Sequence, residues 1–362
     1  MTNYAVILAT YIITFLIGFP SNLMSLYTFL MKVRKKPAPI DILLLNLTLS
    51  DIMLLVFLPL KMSEAAHKNE WHFPEVLCGI TSCTFHSSIY ISTLFLTAIS
   101  VERYLGVAFP IKYKLNRRSA YAVVASIFIW LLVGSHCSTV FVLRSLHNDS
   151  METSQHPSNH VVCFKEFNEW QKKIIYPFRL ELCLALFCIP FIITFFCYAN
   201  VIHILASLPN VQRRRKQRSV GLAVVTLLNF AICFGPFNIS HIFGVINYED
   251  PEWRDYSFAL SSFNTCLDPF IFFFSSYAIR RNVGICWTGM YRRVRLIIPN
   301  CSLPCCKNSR DNDEGKGAVR LSSSSGLGRT GIAIDSFSCS HAAKNWEVSI
   351  LNPELEADCN KF

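Results

Sequence analysis

The chain has 362 residues, 52% of them hydrophobic and 16% charged, with a formal net charge of +10. A soluble helical protein needs polar faces that such a composition does not supply. The basic surplus sits in short runs between apolar stretches, which marks membrane topology and lipid headgroups and excludes nucleic acid as a partner.

Residues 5–30 carry no charged side chain, residues 40–60 hold Asp51 at their centre, and residues 76–101 are again uncharged. Residues 120–143, 174–208, 219–246 and 256–279 complete a set of seven apolar stretches. A helix needs roughly 20 apolar residues to cross about 30 Å of hydrocarbon. In lipid each backbone amide must be satisfied within its own segment, so the stretches are expected to be helices. The predicted fold is an all-α membrane protein, with a seven-transmembrane helix bundle over residues 1–279. Only four residues precede the first span, which reads as its own insertion signal rather than a cleaved leader.

Charge orients the spans. The loops after spans one, three and five hold Lys32, Arg34, Lys35 and Lys36; Lys112, Lys114, Arg117 and Arg118; and Arg213, Arg214, Arg215, Lys216 and Arg218, with no acid among them. In the opposite loops acids outnumber bases. Basic loops stay in the cytoplasm, so the N-terminus is expected outside a plasma membrane that the chain crosses several times. That topology puts Cys78 and Cys163 at the oxidising face, where they are expected to pair, and makes Asn148 a glycosylation acceptor in Asn148-Asp149-Ser150. Cys83, Cys137, Cys183, Cys188, Cys197, Cys233 and Cys266 fall within spans and read as small apolar packers.

After the seventh span, residues 280–298 read as a basic amphipathic helix on the inner membrane surface, followed by Cys301, Cys305 and Cys306 as palmitoylation candidates. Residues 299–362 are rich in Gly, Ser and charge and are expected to be a disordered cytoplasmic tail. Ser322, Ser323, Ser324 and Ser325 within it suit phosphorylation.

Ionisable groups in mid-membrane are costly and need a reason. Asp51 in span two and Asp268 in span seven, with Asn22 in span one, suit a shared proton, a sodium ion near Asp51, or a water network. Glu102-Arg103-Tyr104 places a cation at the inner end of span three, where plain snorkelling to the headgroups is the simpler reading. Arg179 lies about one turn into span five, Arg254 at the mouth of span seven and His241 near the outer end of span six. Guanidinium groups match a carboxylate with paired hydrogen bonds and stay charged, so the set suits a carboxylate ligand. The alternative, in which Arg179 merely pairs with a local acid, finds a poor partner in Glu181, two residues away on another helix face.

One motif per span appears in order: Asn22; Asp51 after Asn46-Leu47-Thr48-Leu49-Ser50; Cys78 ahead of Arg103; Trp130; Pro190 with Tyr198; Pro236; and Asp268-Pro269. The chain resembles the rhodopsin-like class of G-protein-coupled receptors over residues 5–290. It departs from the pattern at Cys233-Phe234-Gly235-Pro236, which lacks the usual tryptophan, and at Asp268-Pro269, where Asn-Pro is commoner. Phe178-Arg179-Leu180-Glu181-Leu182, the run from Ala223 to Phe230, Phe237-Asn238-Ile239-Ser240-His241 and Glu102-Arg103-Tyr104-Leu105-Gly106 are similar to the free fatty acid receptors, most closely the short-chain pair.

That resemblance implies a small carboxylate held by Arg179, Arg254 and His241, with His136 contributing and Tyr90 retained. Phe237 stands where a tyrosine is expected, and His86 where an aromatic residue is usual. It further implies coupling to heterotrimeric G proteins (Gi, and Gq as a second type) through Glu102, Arg103 and Tyr104, and arrestin binding through the phosphorylated tail. Other anionic ligands, such as a hydroxycarboxylate, nucleotide, lysolipid or longer fatty acid, stay open. A retinal pump would need a lysine in span seven, which has none, and no inverted repeat supports a transporter. No nucleophile–base set or metal motif suggests an enzyme.

Overall fold

A computed structural model describes residues 3–116, 118–148, 163, 169–208, 212–276 and 279. The first helices are long: α1 (Tyr4–Lys35), α2 (Pro39–Ala66) and α3 (Glu75–Ala108). A short α4 (Pro110–Asn116) leads to α5 (Ser119–Asn148). Two further rods are each interrupted. In the first, α6 (Glu169–Cys183) continues through a π turn (Leu184–Cys188) into α7 (Ile189–Ser207). In the second, α8 (Arg213–Leu228) continues through a π turn (Asn229–Phe234) into α9 (Gly235–Asn247). The chain closes with α10 (Arg254–Ser261) and α11 (Asn264–Ser275).

Six rods are long and apolar enough to cross a membrane. The seventh apolar stretch is split between α10 and α11. Its backbone tightens there into i→i+3 bonds, from Ser262 N–H to Ala259 O, Phe263 N–H to Leu260 O and Cys266 N–H to Phe263 O. The π turns sit directly before Pro190 and Pro236. Proline has no N–H to give the preceding turn, and a wider turn absorbs the mismatch.

The sequence distributes its side chains as lipid requires. Leu16 is 67% and Leu131 68% exposed on the outer faces of their helices, while Asn22, Asp51, Asn229, Asn264 and Asp268 are buried at the centre. Apolar side chains fill the interior and also cover the outside, while the polar groups are kept inside, which suits hydrocarbon solvent. Helix α3 is the axis, packing against α2, α5 and α7, while α1 leans on α2 and α11. A glycine allows that last approach: a Cβ at Gly18 would stand 2.9 Å from Thr265 Oγ1 and 3.2 Å from Leu55. One turn on, Asn22 Nδ2 donates to Thr265 O and to Gly18 O, each at 2.9 Å.

A disulfide joins Cys78 to Cys163 across 85 residues, beside buried Trp71. One sequence expectation is corrected. Cys83 in α3 and Cys137 in α5 are not independent apolar packers; their sulfurs are bonded, tying the two helices together. Asn148 is the last helical residue of α5, and the rest of its sequon lies outside the described residues. So do the expected amphipathic helix, the tail and Cys301, Cys305 and Cys306.

Candidate ligand-binding site

At the Cys78 end of the bundle a cavity of about 490 Å³ opens between the helices. It brings together all seven residues singled out as ligand contacts: His86, Tyr90, His136, Arg179, Phe237, His241 and Arg254. They come from α3, α5, α6, α9 and α10, so no stretch of sequence holds the site by itself.

The two arginines converge. Nη1 of Arg179 donates to both oxygens of Asp250, at 2.9 and 3.0 Å, and Nε of Arg254 lies 3.7 Å from Asp250 Oδ2. Arg254 also donates through Nη1 to Ser240 Oγ at 2.8 Å and lies over the Phe237 ring, 4.9 Å from its centroid. Arg179 stands 5.9 Å from the Tyr176 centroid. Cation–π contacts of this kind hold a guanidinium in place without consuming its N–H donors.

The same arginine sets the tautomer of His241. Arg254 Nη1 lies 3.1 Å from His241 Nδ1, and an arginine can only donate, so Nδ1 accepts. The ring proton is then on Nε2, which faces Tyr90 Oη at 3.1 Å. Tyr90 accepts there, and its own O–H is left to donate into the cavity it lines. Arg254, His241 and Tyr90 thus form a directional relay ending in one oriented hydroxyl.

His86 donates from Nδ1 to Ser82 O at 2.7 Å and packs on Phe258 and Phe237, with ring centroids 4.8 and 5.8 Å away. His136 contacts Leu132 O at 2.8 Å and Glu181 Oε1 at 3.4 Å, and stacks on Phe178. Glu181, the poor partner for Arg179, therefore serves His136. Sequence reading missed Asp250. Its i,i+4 spacing to Arg254 is visible in the chain, but its bond to Arg179 exists only through tertiary folding. A further buried pair was also missed: Lys61 Nζ meets Glu64 Oε2 at 2.7 Å in the cavity wall.

At the opposite end, Arg103 Nη2 donates to Ser275 O at 2.9 Å, and Glu102 accepts a hydrogen bond from Tyr113. Tyr104 packs edge-on against Phe109 and Phe196. Between the two ends lies a polar layer. Asn229 Nδ2 donates to Asp268 Oδ1 at 2.8 Å, and Asn264 Nδ2 to Ser92 Oγ at 3.2 Å. Among the described residues, both Asp51 oxygens, Asp268 Oδ2, Asn22 Oδ1 and Asn264 Oδ1 are buried acceptors with no donor. Pro269 follows Asp268 inside α11.

Comparison with known proteins places this arrangement. Residues 21–272 match the 7 transmembrane receptor (rhodopsin family) profile. The chain belongs to the rhodopsin family of seven-transmembrane receptors. It is 47% identical to free fatty acid receptor 2 of Homo sapiens over 281 residues, covering 77% of this chain and 84% of that protein. It is 42% identical to free fatty acid receptor 3 of Mus musculus over 274 residues, covering 76% and 84%. Similarity extends to the S-geranylgeranyl-glutathione receptor P2RY8 of Homo sapiens, at 33% over 270 residues. The receptor is thus a multi-pass protein of the plasma membrane and not an enzyme.

Proposed function

We propose that the receptor is activated by short-chain fatty acids (acetate, propionate and butyrate). The ligand carboxylate would lie between Arg179 and Arg254, with Tyr90 O–H as a further donor and the acyl chain against Phe237 and Phe258. The observation that carries this reading is the convergence of two slightly exposed guanidinium groups on one carboxylate, that of Asp250. Where one carboxylate fits, a ligand's can be held with the same donors. The similarity to free fatty acid receptors 2 and 3 supports the same class.

In this reading the Cys78 end faces outward, and the Arg103 end passes the signal to heterotrimeric G proteins, Gi first and Gq second. Arrestin then binds the phosphorylated tail. The donorless acceptors around Asp51 and Asp268 fit a small hard cation such as sodium. The 490 Å³ cavity, within the range that takes drug-sized ligands, favours one second reading: a longer fatty acid on the same anchor.

Even the best tiny ligands gain about 1.5 kcal/mol per heavy atom. Propionate has five, which caps its affinity in the low-micromolar range and puts a realistic value between roughly 0.1 and 1 mM. The test is a panel from acetate to hexanoate, then palmitate, each with its methyl ester, read by direct binding and G-protein activation. The free acids are expected to bind and their esters not. Esters as potent as the acids, with hydrolysis excluded, would sink the carboxylate reading. A response to hydroxycarboxylates, nucleotides or lysolipids alone would move the receptor to another ligand class.

A further inference from the structure

The two disulfides differ in what surrounds them. Cys78 is fully buried and Cys163, although it borders the cavity, is 5% exposed; both pack with Trp71 and Leu77. Cys83 and Cys137 are each half-buried, and both line the cavity. Small neighbours let the two helices meet there: Gly79 and Ser82 precede Cys83 in α3, and Gly134, Ser135 and Ser138 flank Cys137 in α5. The Cα atoms of the pair are 5.8 Å apart, within the span of a disulfide. Cys83 lies about 7.5 Å further along α3 than Cys78 by helix rise, so the cavity is what connects it to the outer end of the bundle.

Each sulfur also has the neighbour it would need as a thiol. Cys137 Sγ lies 3.4 Å from Cys83 O, and Cys83 Sγ lies 3.9 Å from Ser87 Oγ. A free S–H is a weak donor, and these oxygens give each one an acceptor without moving a helix. Both oxidation states therefore fit the same bundle. What differs is the tie between α3 and α5. His86 follows Cys83 by three residues on the same face of α3, and His136 directly precedes Cys137 in α5. His136 in turn stacks on Phe178, the neighbour of Arg179. With the sulfurs at non-bonded distance, the two histidines lose their fixed separation.

We propose that the Cys83–Cys137 bond is a thiol-exchange site: low-molecular-weight thiols that enter the ligand cavity open it, and opening it weakens ligand binding. A thiolate attacks one sulfur, forming a mixed disulfide and displacing the other cysteine, which takes up a proton. A second small thiol then releases the first cysteine, and the two small thiols leave as their own disulfide. The small thiols supply both electrons that reduce the receptor, and their disulfide runs the same steps backward. Exchange rates depend on access to the sulfur, which favours this pair over Cys78–Cys163. The effect on binding rests on the carboxylate reading above, whereas the exchange itself does not.

The experiment treats intact receptor with mercaptoethanol, alkylates the thiols that appear, maps them by mass spectrometry and measures propionate binding in parallel. Cys83 and Cys137 are expected to be labelled about tenfold faster than Cys78 and Cys163. Propionate affinity is expected to fall about fivefold as the bond opens, because the site loses preorganisation. A double variant, Cys83→Ser with Cys137→Ser, keeps the Cys78–Cys163 bond; it should begin at the lowered affinity and stay there under the same dose. If that variant fails to fold, wild-type labelling and binding decide by themselves. Cys83 and Cys137 alkylated before any thiol is added, or opened no faster than the outer pair, overturns the exchange site. Unchanged affinity in receptor labelled at both cysteines overturns its control of the ligand. If untreated receptor binds no propionate, the carboxylate reading falls, and the labelling order still decides the exchange site.

Discussion

Arg179 and Arg254 should be the most sensitive positions in the cavity. Replacing either with alanine removes one cation from a small ligand's carboxylate in a partly desolvated site, a loss of about 2–5 kcal/mol, or at least roughly thirtyfold in affinity. Surface density should persist, because neither residue is needed to bury a helix, and radioligand or impedance binding at matched density checks the outcome. Tyr90→Phe is a finer probe. It removes the hydroxyl that accepts from His241 and donates into the cavity, so it should weaken carboxylate binding by about 1 kcal/mol, or roughly fivefold, and leave the fold intact. These groups were legible in the sequence because a charge or an imidazole inside an apolar run announces itself. Asp250 was not, since an acid in a loop full of acids looks like solvated surface until folding sets it on Arg179. The bond between Cys83 and Cys137 was hidden for the same reason, as nothing in their spacing distinguishes a cross-helix pair from two packing thiols.

At the scale of the element, helix length and the order of the apolar stretches could be read directly from residue type, because the bilayer dictates both. Local winding could not. The break at Ser262 and Phe263 in the seventh stretch and the π turns before Pro190 and Pro236 depend on which carbonyls find partners, which no hydropathy pattern records. Close approach between helices was equally invisible. Gly18 is the clearest case, and Gly18→Val should push α1 away from α2 and α11, because its new atoms would meet Thr265 and Leu55. Overpacking of this kind costs about 1–3 kcal/mol. It should lower the melting temperature of the detergent-solubilised receptor without changing the arginine site. An unchanged melting temperature would show that α1 can move away at no cost.

For the whole molecule, the arginine site and Arg103 stand at opposite ends of one bundle with α3 between them. Arg103 donates to Ser275 O and is not among the residues that line the cavity, so Arg103→Ala should bind carboxylates normally and fail to promote nucleotide exchange on a G protein. Normal exchange by that variant would remove Arg103 from the transmission step.

The two π turns have a consequence for how this chain tolerates editing. A π turn holds one residue more than the α turn it replaces, while the helix on either side keeps its phase. Each of the two interrupted rods therefore carries one spare residue. Deleting Ala185, inside the first π turn, should let the turn close into regular helix and keep Thr194 on Thr97 and Tyr198 on Thr226, contacts now at 3.0 and 3.3 Å. Deleting Ile193, in regular helix, has no such slack: everything beyond it would turn by about 100° and advance about 1.5 Å. The first deletion should reach the cell surface and bind ligand, and the second should not, although each shortens the same rod by one residue.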